Sequence, residues 1–306
     1  MLKSVLCKIN NKNISTISTI STMNNIDDTD KSTLITFSTC FYILKAKFDV
    51  YTYVNWINNF LSLVTYENNF NLVIYTDRAS SKHIYSNPNV INNPKIKVII
   101  KPLEDFYNYK YKEKWINNHH VNVLLKDKVD WRVNMLWSEK VWFVKETVNN
   151  KYFDTEFYGW CDIGYFRNRL NDLNTIKIKN WPNPNKLESF DKNKIHYSCV
   201  NNNNNFMDYL YSIIINKNSN GVPIVDIPYN QISIAGGFFI IHKNKINWWC
   251  STYDEKLKLY FDNRLLVKDD QIILVDCIFS DTKNFSLYKE NNQNYDNWFL
   301  FQRLLL

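Results

Sequence analysis

Carboxylates at the ends of apolar runs are the residues of this sequence whose type and setting point to chemistry. The run Phe157-Tyr158-Gly159-Trp160-Cys161-Asp162-Ile163-Gly164-Tyr165-Phe166-Arg167 stops on one aspartate and then a glycine. It is short enough to be a buried strand. Ligands of open α/β sheets sit at the carboxyl ends of strands, so Asp162 is a candidate ligand contact. An Asx turn after a strand would leave the same signature. Three further features have this character. Thr76-Asp77 end an apolar run, while Gly236-Gly237 open one and would let a ligand approach the backbone. Asp269-Asp270-Gln271 stand at a helix start, where the dipole stabilises a carboxylate. Each has a structural alternative: an N-cap for Asp77, a bulge for the glycine pair, a plain charged helix start for 269–271. Lys140 and Arg167 are either cationic partners of such a site or ordinary surface residues.

The elements that must position these residues follow from periodicity. Residues 34–41 are a β-rich run. Val54, Ile57, Leu61 and Val64 then recur at helical spacing, with Trp56 and Phe60 widening the apolar face. Short apolar runs at 71–77 and 95–100 predict two more strands. Trp137, Val141, Val144 and Val148 form one helical stripe leading into the strand at 157. Strand, helix, strand, short helix, strand at these lengths predicts an α/β fold with a doubly wound, mostly parallel sheet and flanking helices. The Lys/Tyr-rich segment 102–135 gives no clear element. After Arg167 the composition turns to Asn, Pro and Lys. Residues 234–241 form a further apolar run, and Ile246, Trp249, Tyr253, Leu257 and Tyr260 share a helical face. Asn201 to Asn205 read as a loop. The C-terminal Trp298-Phe299-Leu300-Phe301 segment reads as docked on the protein's own core. Residues 1–31, rich in Ser, Thr and Asn, read as a disordered leader, and 32–306 as one domain.

Composition narrows the function classes. With 306 residues, 45% hydrophobic and 16% aromatic, the chain has ample means to bury a core. No apolar run approaches the roughly 20 residues that cross a bilayer, and no signal-peptide core is evident, so a soluble cytoplasmic protein is expected. Six scattered cysteines, none in C-x-x-C spacing, suggest neither a zinc site nor a disulfide framework. The sequons at 13–15 and 284–286 carry little weight in so Asn-rich a sequence. The charge of +7, with lysines and tyrosines interleaved at 107–114, admits a nucleic-acid groove. A solvated lysine-rich face explains it better, because 30 acidic residues are spread throughout. The same charge suits an anionic small molecule such as a nucleotide sugar. His119 and His120 are adjacent and face different directions, which argues against a metal pair. His242 is the better candidate for a metal ligand.

In chain order the sequence carries residues 37–41 followed by a helix, Ile74-Tyr75-Thr76-Asp77, Leu136-Trp137-Ser138-Glu139-Lys140, and Trp160-Cys161-Asp162-Ile163-Gly164-Tyr165-Phe166-Arg167. Trp181-Pro182, Ile234-Ala235-Gly236-Gly237-Phe238-Phe239 and Lys268-Asp269-Asp270-Gln271 follow. These seven blocks, spanning about residues 34–280, resemble the HtrL/YibB (WlaTC-type) family of glycosyltransferases. The resemblance implies a GT-A-like fold with a nucleotide-binding half (32–167) and an acceptor-binding half (168–306). It implies transfer of a sugar from a nucleotide-sugar donor, a UDP-sugar above all, to an acceptor hydroxyl of a glycan, lipid-linked or protein acceptor. It puts Thr39, Thr76 and Asp77 at the nucleoside, and Gly236 and Gly237 at the donor sugar. Asp269, Asp270 and Gln271 would face the reacting sugar or acceptor hydroxyl. A strand-end Asp-x-Asp that holds Mn²⁺ or Mg²⁺ against the donor phosphates is usual in such enzymes. Here Asp162 has the first position and Gly164 the second. Either Asp162 alone serves the metal, or Lys140 and Arg167 supply the positive charge. A nucleotide-sugar-binding relative without transfer activity is the alternative reading, and a basic nucleic-acid-binding protein a more distant one.

Overall fold

Runs buried on both faces form the centre of a sheet, and the chain supplies several. The structure, a computed structural model, describes residues 34–170, 172–290 and 292–306. The expected leader at 1–31 lies outside them, with Cys7 and the first sequon. Strands β1 (Ile35–Phe41), β2 (Phe70–Thr76), β3 (Ile96–Ile100) and β4 (Phe157–Cys161) are joined by β5 (Ile195–Cys199), β6 (Phe238–His242) and β7 (Phe285–Lys289). They form one seven-stranded sheet in the order β3-β2-β1-β4-β6-β5-β7. Pairing is parallel throughout except at β6, which runs antiparallel to both β4 and β5. The expected α/β fold with a mostly parallel central sheet is therefore what the chain adopts.

Helices cover both faces. On one, α4 (Trp131–Asn149) is capped by Asp130, whose side chain accepts from Arg132 N. Its Phe143 meets Tyr75 and Trp160, with ring centroids 4.6 and 5.7 Å away. Beside α4 on this face lie α3 (Lys112–Val121), α6 (Asn204–Ile215), α7 (Ile246–Asp262) and α8 (Asp270–Ser280). On the other face, where the short α5 (Pro184–Glu188) packs through Leu187, α1 (Val50–Leu61) brings Phe60 against Phe70 and Phe166. There Trp181, fully buried, stacks on Phe37 at 5.4 Å and donates its indole N–H to Phe301 O. Phe299, Phe301 and Leu305 are buried in this second cluster, so the C-terminal segment docks on the core as expected.

Some local expectations shift. α1 ends at Leu61, so Val64 packs from the turn beyond it. The Asn run is not all loop: the Asn203 side chain accepts from Phe206 N and starts α6 at Asn204. Segment 102–135 becomes two short 3₁₀ turns, α3 and the start of α4. Two of its lysines are matched by acids of α7, Lys110 with Asp254 at 3.0 Å and Lys114 with Asp262 at 2.6 Å. The five described cysteines are buried and free, as small apolar residues. No helix among the described residues is long and apolar enough to cross a membrane.

The strand order has a switch point. From β1 the chain proceeds to β2 and β3 on one side, then returns to place β4 on the other. Crevices for ligands form outside strand ends at such points. β4 fits there because Gly159 lacks a side chain. A Cβ at Gly159 would stand 2.5 Å from Phe239 O and 2.9 Å from Phe37 Cε1. Gly159→Ala is accordingly expected to cost about 1–3 kcal/mol through overpacking at the sheet centre. Urea unfolding would read this as a lower midpoint, and an unchanged midpoint would contradict the close fit described.

Candidate active site

Asp162 follows β4 at the switch point, and the antiparallel run of β6 brings Gly236 and Gly237 to the same place. The first residues of β6 lie beside the last of β4, with Phe238 opposite Cys161. The register continues one step further, Asp162 N donating to Gly237 O at 2.8 Å. The glycines are required by proximity. A Cβ at Gly237 would come 3.0 Å from Asp162 Oδ2, and one at Gly236 would come 2.7 Å from Asp270 Oδ2. Two carboxylates thus flank one glycine pair.

The charge between them comes from α4. Lys140 reaches out of the helix interior, its side chain only 8% exposed. Nζ donates to Gly236 O at 2.9 Å and lies 3.2 Å from Asp162 Oδ1 and 3.0 Å from Asp270 Oδ2. The Asp270 approach is an ion pair off the direction of a hydrogen bond, so Oδ2 has no hydrogen-bond donor. Trp160 Nε1 donates to Asp162 Oδ1 at 2.6 Å and fixes that carboxylate. Burial lowers the proton affinity of Lys140, but Asp162 and Asp270 outweigh it and hold the ammonium well above its usual range. Burial pushes Asp270 the other way, up to about 6; Lys140 opposes the rise, and the charges of Asp269 and Asp162 add to it. A carboxyl that titrates there can accept a proton near neutral pH.

Asp270 is the first residue of α8, and its placement depends on amide side chains. Asn118 Nδ2 donates to Val267 O at 2.8 Å, while Asn118 Oδ1 accepts from Val267 N at 2.8 Å. Asn122 Nδ2 donates to Lys268 O at 3.0 Å. Asn134 Nδ2 is shared between the carbonyls of Val267 and Lys268, at 3.1 and 3.0 Å. Three buried asparagines therefore hold the backbone immediately before Asp269. Asp269 is buried too, Oδ2 at 2.8 Å from Lys268 Nζ and Oδ1 without a hydrogen-bond partner.

These groups open onto a cavity of about 500 Å³ lined also by Gln271, Gly164 and Arg167. Cationic and aromatic side chains line it as well. The Arg167 guanidinium lies 4.2 Å from the Trp56 ring, and its Nε donates to Gly164 O at 2.7 Å. Arg169 sits 4.5 Å from the Phe299 ring. The arrangement can take an elongated ligand with an anionic portion and a hydroxyl-bearing one.

The expected residues divide into two groups. Asp162, Gly164, Arg167, Lys140, Gly236, Gly237, Asp269, Asp270 and Gln271 all line one cavity. Thr39, Thr76 and Asp77 do not. The Thr39 hydroxyl is buried in β1, Thr76 Oγ1 donates to Phe41 O at 2.7 Å, and Asp77 caps α2 (Arg78–Tyr85) by accepting from Ser80 N at 2.6 Å. Capping, the structural alternative for Asp77, is the role it has. His242 ends β6 opposite Phe157, at the far end of β4 from Asp162, and its ring accepts from Asn244 N. It is therefore no partner for Asp162 in a metal site. Among the described residues no three His, Cys, Asp or Glu side chains are grouped to hold a metal ion. The facing oxygens of Asp162 and Asp270 bracket an ammonium, so this donor set does not fit a divalent ion shared between them. Trp56, Trp160 and Arg169 were not legible as site residues. Trp56 and Trp160 carried only the signal of apolar periodicity.

No family model matches the chain, and no curated protein matches it. Among solved structures it is similar to the galactosyltransferase LgtC in complex with donor and acceptor sugar analogs. The TM-score is 0.45 and the identity 11%, over 82% of this chain and 72% of that one. A likeness of that extent carries nothing about the reaction, which has to be read from the site.

Proposed function

We propose that this chain is a GT-A-like glycosyltransferase that moves a sugar from a nucleotide-sugar donor, a UDP-sugar in the first instance, to an acceptor hydroxyl. The observation that carries the reading is the convergence of Asp162, Lys140, the glycine pair and Asp270 on one cavity at the sheet's switch point. In this reading the donor's anionic diphosphate lies toward Arg167 and Arg169, and its sugar lies over Gly236 and Gly237. Asp270 accepts the proton of the acceptor hydroxyl as the oxygen bonds to the anomeric carbon. The bond from that carbon to the diphosphate breaks, and the diphosphate leaves with the electron pair. Asp162, fixed by Trp160, positions Lys140 and the sugar hydroxyls. The half of the chain up to Arg167 supplies Lys140, Asp162 and Arg167 to this site, and the remainder supplies Arg169, the glycine pair and Asp270.

Two outcomes are expected. Asp162→Ala and Asp270→Ala each abolish transfer in a nucleotide-sugar assay while circular dichroism shows a folded protein. Wild-type turnover in both would sink the assignment, and donor binding without turnover in the wild type would favour a non-transferring relative. The second outcome concerns pH. If Asp270 is the base, turnover is lost as pH falls through about 6. Stability moves oppositely for this group, because its folded-state value lies above the unfolded one. Between the ordinary carboxylate range and about 6 the folded form binds the extra proton, so Asp270's contribution to stability grows as pH falls. An acid limb in the rate without matching unfolding separates the two, and a flat rate profile across this range would remove Asp270 as base.

A further inference from the structure

Two independent features stand where a metal shared by Asp162 and Asp270, or a second carboxylate after Asp162, would need room. The first is Lys140, whose ammonium touches Asp162, Asp270 and the Gly236 carbonyl at 3.2, 3.0 and 2.9 Å. A divalent ion bound by those facing oxygens would sit within roughly 2.0–2.6 Å of each, in the volume that Nζ fills. The second is Trp56. A Cβ at Gly164 would stand 2.6 Å from Trp56 Cε3, so a second carboxylate two residues after Asp162 collides with the indole. That indole supports a charge of the opposite sign, the Arg167 guanidinium at 4.2 Å, itself tied back to the Gly164 carbonyl. At both positions a fixed cation, or the platform for one, stands where a metal or its ligand would be.

We infer that this site binds its anionic ligand without a divalent metal, with Lys140 as the resident cation between Asp162 and Asp270 and Arg167, held on Trp56, as the exchangeable-ligand contact. The identity of the ligand as a nucleoside diphosphate rests on the function proposed above; the occupation of the carboxylate pair by an ammonium does not. Guanidinium groups suit phosphate oxygens because they present paired donors in a rigid plane. Lys140 remains out of reach of exchange, holding one positive charge between the two aspartates permanently instead of on ligand arrival.

The test has two arms. The full chain is titrated with Mn²⁺ alone, and free ion is followed by electron paramagnetic resonance. The wild type is expected to take up no stoichiometric Mn²⁺ at concentrations where a carboxylate-pair site would fill. Stoichiometric uptake that Asp162→Asn removes would overturn the inference. In Lys140→Ala, where the two carboxylates lose their cation, uptake of one Mn²⁺ per chain is expected, and the wild-type titration stands whether or not this variant folds. In the second arm, the thermal unfolding midpoint is measured with uridine diphosphate, with and without a chelator. A ligand that binds only the folded form raises the midpoint. A shift that survives the chelator and is lost in Arg167→Ala supports the inference. A shift abolished by the chelator and restored by Mn²⁺ overturns it. A wild type that ignores both Mn²⁺ and uridine diphosphate would fail the proposed function while leaving the metal-free carboxylate pair upheld.

Discussion

A buried ammonium must be compensated at close range or lose its proton, and Lys140 is compensated from three directions. The compensation ties together elements far apart in sequence. Lys140 lies within α4, Asp162 follows β4, Gly236 precedes β6 and Asp270 opens α8. Withdrawing the lysine would leave two carboxylates facing one another with no cation between them. The glycine pair belongs to the same constraint, since any side chain there would push into the carboxylates that the lysine needs. The site is a single electrostatic unit built from four segments, and its geometry is set by that unit before any ligand enters.

The supporting shell is polar but uncharged. Asn118, Asn122 and Asn134 satisfy the carbonyls of Val267 and Lys268, which would otherwise be buried acceptors in the stretch leading to α8. Because Asn offers both a donor and an acceptor, Asn118 closes a two-way contact with Val267. Asp270 thereby acquires a position fixed by the backbone before it, which suits the base role proposed for it.

The sequence was most informative where strands end. The Asp162 run, the paired glycines before β6 and the start of α8 could all be named from residue type and local pattern, and they do line one cavity. Thr76-Asp77 carried an equal signal and proved to be a hydrogen-bonded strand end and a helix cap, because an N-cap and a strand-end ligand contact look alike in one dimension. What unites the site is the reversed direction of β6. Hydrophobic patterning is indifferent to strand direction, so nothing in the run at 234–241 announces it. The three asparagines were hidden differently, in a chain where Asn is so common that no single one stands out. Trp56 was read as apolar periodicity, which it also is; its second role as a support for Arg167 depends on a contact across 111 positions, from α1 to the loop after β4, that only the fold creates.

The loop after β4 is closed from the far end of the sequence. Tyr165 Oη accepts from Phe301 N at 3.1 Å, and Tyr165 O accepts from Gln302 Nε2 at 2.7 Å, contacts that span 136 and 137 residues. Chain closure over such distances carries an entropic cost that slows its formation. During synthesis the cavity wall that includes Gly164 and Arg167 therefore has its Trp56 support from α1 long before the segment around Phe301 that ties it down has been made. The nascent chain passes through a stage in which the sheet's first four strands can already be paired while this pocket still lacks one of its sides.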